Sequence, residues 1–146
     1  CGQSCEVKPA GLFAAGAPTP LAELPSLLSL GAKIRIQSQD FKASGRVRFH
    51  HEDGYWDEWM LVSGEGPIRW LQEDEGELTL FQKETITAAI PPFEEIGVGT
   101  TVTLNGRSVF VSERCEAVIA GAQGELNFTV FAGQAVNCID GAADGK

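Results

Sequence analysis

The sequence predicts an all-β protein: two small antiparallel β-units, packed as a sandwich or a pair of partly open barrels, behind a short N-terminal helix and a proline-containing arm. Three observations carry this. From Gly31 onward apolar and polar residues alternate with period two, as in "KIRIQ" and "RVRFHH". The alternating runs are short, and turn-forming clusters separate them. With 17 Gly and 7 Pro among 146 residues, the composition favours strands and turns over long helices.

Residues 1–30 form the arm. Within it "TPLAELPSLLSLG" suits one short helix, capped by Thr19 and ended near Gly31. The first β-unit spans 31–83, with strands at "KIRIQ", "KASGRVRFHH", "YWDEWMLVS", "PIRWLQE" and "ELTLFQK", joined by turns at "SQD", "EDG", "GEG" and "DEGE". A connector covers 84–98, because the consecutive Pro91 and Pro92 cannot sit inside a sheet ladder. The second unit spans 99–141, with strands at "TVTLNG", "RSVFVSER", "EAVIAGA", "GELNFTVFAG" and "AVNCID"; Asn105-Gly106 is the strongest hairpin signal in the chain. A frayed tail, "GAADGK", follows.

An offset of 68 residues relates the two units. Gly31, Ile34, Ile36, Ser44 and Arg46 match Gly99, Val102, Leu104, Ser112 and Arg114, and Met60 and Val62 match Phe128 and Val130. The pattern fits a duplication, and it equally fits two unrelated meanders of alternating strands.

Charge narrows the function classes. Eleven basic against twenty acidic residues give a formal charge of −9, a field that repels phosphate backbones and anionic lipid surfaces. Nucleic acid is therefore not an expected partner. No run is apolar enough for a membrane span, so the chain as given reads as soluble; a cytoplasmic setting is expected. Four cysteines, Cys1, Cys5, Cys115 and Cys138, are too few for a disulfide scaffold. Cys115 and Cys138 read as inert core thiols, with a disulfide between them as the alternative. No metal or cofactor is expected in this chain.

The succession "SLGAKIRIQSQDFKASGRVRF", "WDEWMLV", "WLQEDEGELTL", then "GTTVTLNGRSVFVSE" and "GELNFTVFAGQAVNCID" resembles the bacterial family catalogued as domain of unknown function 4178. The resemblance runs from about Leu30 to Asp140. It implies a β-domain that often follows a zinc-binding cysteine ribbon, with Cys1 as the last ligand of that ribbon and the other three before residue 1. On that reading the chain is a fragment, and zinc belongs only to a longer product. A chain that opens with Cys1-Gly2 also fits a processed lipoprotein anchored through Cys1. The upstream coding sequence decides between them.

Chemistry concentrates in "YWDEWMLVSGEGPIRWLQEDEGE", residues 55–77, which holds all three tryptophans, the only tyrosine and methionine, and seven of the acidic residues. Elsewhere no nucleophile elbow or phosphate-binding glycine loop appears. His50 and His51, adjacent in a strand, face opposite ways. Alternation puts Tyr55, Asp57, Trp59 and Leu61 on one side and Trp56, Glu58, Met60 and Val62 on the other, so the tryptophans share no flat platform.

Two arrangements follow. In one, Trp56 with Met60 and Val62 enters the core and Glu58 is buried there, where it either pairs with a donor such as Arg46, Arg48 or Arg69 and fixes strand register, or has its pKa raised. In the other, Tyr55, Trp59 and Trp70 wall a cleft in which Asp57, Glu58 and Glu73 hold a cationic ligand such as a polyamine. The expected function is a non-catalytic binding or adaptor module that recognises another protein through a strand edge or the tryptophan hairpin. The alternatives are the polyamine-like binder and a carboxylate-based hydrolase, for which no catalytic residue is assigned.

Overall fold

The computed structural model describes residues 5–8, 11–14, 26–64 and 66–143, the first two segments by their backbone alone. Among the described residues there are ten strands: β1 Cys5–Lys8, β2 Gly11–Ala14, β3 Lys33–Ile36, β4 Gln39–His51, β5 Gly54–Val62, β6 Arg69–Asp74, β7 Glu77–Phe81, β8 Thr101–Leu104, β9 Arg107–Leu126 and β10 Ala135–Ala143. The protein is nearly all-β and its ladders are antiparallel apart from a short parallel contact of β1 with β9. Among the described residues the only helical turn is the 3-10 turn Phe93–Glu95 in the connector.

The chain falls into two compact units, Cys1–Lys83 with Val118–Gln134, and Glu84–Ala117 with Ala135–Lys146. In the first, the strands run in the order β2-β1-β9-β4-β5-β6-β7, with β3 also on β4. One cluster of its core joins Phe41, Ala43, Trp59, Leu61 and Leu71, covered by Leu28, Ala32, Ile34 and Ile36. In the second, β8 pairs with Arg107–Phe110 of β9, β10 also pairs with β9, and Ile96, Val102 and Val111 pack with Leu104, Val109 and Ile139. The 3-10 turn Phe93–Glu95 follows Pro92 directly and ends at Ile96, which enters that core.

The 68-residue offset survives in the backbone of two hairpins. Gly31 N donates to Ala43 O at 2.8 Å, and Gly99 N to Val111 O at 2.8 Å. Lys33 pairs with Lys42 as Thr101 pairs with Phe110. Both turns place two residues in the left-handed region, Gln37 and Ser38 in one and Asn105 and Gly106 in the other, as a two-residue turn matching strand twist requires. The likeness ends after the hairpins. β4 turns back at Glu52-Asp53 into β5, whereas β9 runs through the corresponding point and delivers residues 118–124 to pair with β4. Met60 therefore lies in a strand, and Phe128 lies beyond the end of β9.

Several sequence expectations change. "RSVFVSER", "EAVIAGA" and the start of "GELNF" are one strand of 20 residues, because pairing with β4 supplies partners that local alternation cannot reveal. No strand forms over residues 127–133. The turn "SQD" begins one residue earlier, at Gln37. The arm contains the hairpin β1–β2. Of the expected helix over residues 19–31, only 26–31 are described, and these are non-helical; the rest, with Thr19 and Cys1, lies outside the described residues. Residues 141–143 of the tail belong to β10, where a Cβ at Gly141 would stand 2.4 Å from Phe110 O. Cys115 and Cys138 are thiols and only half-buried.

Candidate functional site

The tryptophan hairpin is β5–β6, and its neighbour β4 decides what it can do. At Ser44 the β4–β5 register slips by one: Ala43 opposes Leu61, but Gly45 opposes Met60 and Arg46 opposes Trp59. A bulge of one residue reverses side-chain parity along the strand. Phe41 and Ala43 before it, and Arg46 and Arg48 after it, therefore share one face. The bulge is tight. A Cβ at Gly45 would sit 2.2 Å from Glu125 O, and one at Gly124, with φ +74, 2.3 Å from Ser44 O.

This face buries charge. Arg48 grips Asp57 through Nε to Oδ1 at 2.7 Å and Nη2 to Oδ2 at 2.6 Å. Arg46 reaches the same Oδ2 from Nη1 at 3.3 Å and donates from Nη2 to Gln123 Oε1 at 2.8 Å. Burial pulls both arginines toward the neutral form. For Arg48 the hydrogen bond and charge of Asp57 outweigh it and leave the pKa above its ordinary value; for Arg46 burial wins and the pKa lies below it. The guanidinium of Arg46 also covers Trp59 at 5.0 Å, and that of Arg48 covers Tyr55 at 4.5 Å.

Glu73, opposite Asp57 on β6, is saturated in another way. It accepts from Trp59 Nε1 at 3.1 Å, Ser26 Oγ at 2.5 Å and Leu27 N at 2.5 Å. Two arginines thus face two carboxylates, and every carboxylate is held by charge or by donors. Asp57, Trp59 and Glu73 fix the core and fasten residues 26–28 to the hairpin. Tyr55 alone of this group is half-buried, and it borders a cleft of about 640 Å³ with Ser26, His51, Asp53, Glu73 and Glu75. Neither Trp59 nor Trp70 lines that cleft.

The opposite face carries Trp56, Glu58, Met60 and Trp70. Trp56 is buried and stacks on Phe49, centroids 4.9 Å apart at 10°. Trp70 is buried between Phe81 and Phe128, with centroids 6.5 and 5.5 Å away. Glu58 pairs with Lys83, Oε2 to Nζ 3.4 Å, instead of with Arg46. The reason is parity: Glu58 opposes Val47, and the bulge sends Arg46 to the other side, to Asp57. The Lys83 ammonium also lies 3.7 Å from the Trp70 centroid and 4.5 Å from that of Phe128. Alternation along "LTLFQK" carried a signal for Lys83, since residues 81 and 83 share the face of Trp70. Nothing local marked Phe128.

One more feature is exposed. Strand β7 ends the strand order, and Leu78 and Leu80, on one face of it, are 48 % and 40 % exposed. The rings of His50 and His51 lie against Tyr55 and Trp56 respectively. Among the described residues no three metal-ligating side chains converge, and no helix is long and apolar enough to cross a membrane.

A family model described as "Domain of unknown function (DUF4178)" matches residues 29–146. No curated protein and no solved structure gives a significant match.

Proposed function

Because the chain belongs to the DUF4178 family, by a match over residues 29–146, we propose that it is a non-catalytic binding module of a bacterial cytoplasmic protein, taking an extended segment of a protein partner along the outer edge of β7. The observation that carries this is the edge itself. Among the described residues β7 pairs only with β6, so half of its backbone donors and acceptors face outward, and a strand edge of that kind is a template for a further strand. Leu78 and Leu80 stand beside it, exposed, and offer apolar contacts on alternate positions of an added strand.

The tryptophan hairpin supports this role indirectly. Trp59 and Trp70 are each 1 % exposed, so they hold β5, β6 and β7 in register and leave the edge to take a protein segment. A carboxylate hydrolase draws no support from the site: Asp57 is bound to two guanidinium groups and Glu73 to three donors, which leaves neither as a free general base.

The test uses the full-length product as bait in its own organism, followed by hydrogen exchange on the purified complex. Amides of Glu77–Phe81 are expected to slow on complex formation. Leu78→Lys together with Leu80→Lys is expected to abolish capture while leaving the melting temperature within a few degrees, since both side chains are exposed. Capture that survives the two lysines, or protection confined to other strands, overturns the reading.

A further inference from the structure

Lys83 occupies a position that a free ligand could fill. Its Nζ is 3.4 Å from Glu58 Oε2, 3.7 Å from the Trp70 centroid and 4.5 Å from the Phe128 centroid, while its side chain stays 45 % exposed. The two rings stand 5.5 Å apart at 33°. We propose that Glu58, Trp70 and Phe128 form an alkylammonium-binding site, that Lys83 is its tethered occupant, and that a polyamine with primary ammonium ends is the class of ligand that displaces it.

The chemistry follows from the three walls. Two ring faces direct their negative quadrupole at one point, and a carboxylate supplies the counter-charge. A primary ammonium satisfies all three, because its N–H groups reach Glu58 while its charge rests on the rings. A quaternary ammonium has no N–H for the carboxylate. The main wall does not depend on Lys83: Trp70 is held by pairing to Met60 on β5 and to Phe81 on β7 and is buried beneath the lysine.

The occupant, by contrast, is free to leave. Strand β7 ends at Phe81 and no regular element begins before Phe93, so withdrawing Lys83 breaks no ladder. Its advantage is the tether, which gives it an effective concentration in the millimolar range. A monoamine competes poorly with that. A polyamine adds further positive charges drawn to a chain of net charge −9. Binding would thus exchange the internal ammonium for an external one and free the residues that follow β7. This inference stands apart from the edge reading, which uses the other face of β7.

Spermidine, n-butylammonium and tetramethylammonium serve as probes against the whole chain and its Lys83→Ala variant, with calorimetry and tryptophan fluorescence at about 20 and 150 mM salt. Lys83→Ala is expected to bind spermidine about 10-fold more tightly than the unaltered chain, to lose that gain when Glu58→Gln is added, and to bind tetramethylammonium more weakly than n-butylammonium. No gain on removing Lys83, or a gain that survives Glu58→Gln, overturns the proposal. Should Lys83→Ala fail to fold, the unaltered chain carries the test by NMR. Saturating spermidine is then expected to shift the Trp70 indole resonance and leave that of Trp59, hydrogen-bonded to Glu73 on the opposite face. Equal shifts, or none, refute the site.

Discussion

The carboxylate of Asp57 lies side-on to the guanidinium of Arg48, two hydrogen bonds of 2.7 and 2.6 Å joining side chains that are each 1 % exposed. Arg46 adds a third contact at 3.3 Å. A buried pair of this kind adds little over a well-packed apolar pair, yet removing one partner leaves an uncompensated charge in the core. Its value here is register, because Arg48 meets Asp57 only when β4 and β5 pair as they do.

Replacing Asp57 by Ala is therefore expected to cost about 3 to 5 kcal/mol, measured by urea denaturation. Adding Arg48→Met should return a substantial part of the loss, while Arg46, still buried, holds back the remainder. A double variant no better than Asp57→Ala would show that the charge balance is unimportant.

At the bulge, backbone crowding makes a different kind of demand. Gly45→Ala and Gly124→Ala each place a Cβ within 2.3 Å of a backbone oxygen and should each lose more than about 2 kcal/mol, or fail to fold. Gly31→Ala meets nothing within 4 Å and bears only the left-handed φ of +83, a loss of about 1 kcal/mol. Thermal melts of the three variants compare crowding with strain.

Glu73 binds residues 26–28 to the hairpin. With Glu73→Leu, Trp59 Nε1, Ser26 Oγ and Leu27 N all lose their acceptor, at a cost of about 1 to 3 kcal/mol. Hydrogen exchange should quicken at Leu27 and Leu28, while the β8–β9 hairpin keeps its protection.

Acid dependence has a visible contributor on the first hairpin. Arg35 donates from Nε and Nη2 to Asp40 at 2.7 and 2.9 Å, and this hydrogen bond holds the Asp40 carboxyl below the usual carboxylate range, with burial opposing slightly and Lys33 assisting. Its contribution to folding is complete above the unfolded value, about 3.9, and vanishes as pH falls through the lower folded value. Both side chains are solvent-exposed, so the contribution is small. Arg35→Gln should raise the Asp40 titration seen by NMR into the ordinary range and barely move the acid midpoint of unfolding.

Much of this architecture was legible in the residues. The five strands from Lys33 to Phe81 follow from period-two alternation, and Asn105-Gly106 marks its hairpin by turn chemistry. The split of Trp56 from Trp59 across the two faces of β5 is also a consequence of alternation. The candidate site was legible only in outline. Asp57, Glu58, Trp59, Trp70 and Glu73 are all structurally engaged, but Arg46 could face Glu58 only with unbroken alternation through Ser44, and one extra residue there inverts every later facing on β4. Phe128, 45 residues from Lys83, is brought to Trp70 by a connection that leaves no local pattern.

By itself the sequence determined the all-β class, the two offset hairpins, the proline connector and the acidic surface, because each rests on interactions between residues close in the chain or on summed composition. Only the tertiary structure decided that β9 runs on to pair with β4, that Asp57 receives both arginines, and that Lys83 fills the space between Glu58, Trp70 and Phe128. Those choices rest on which strands meet and in what register, and register is fixed by backbone crowding at Gly45 and Gly124, a contact between residues far apart in sequence.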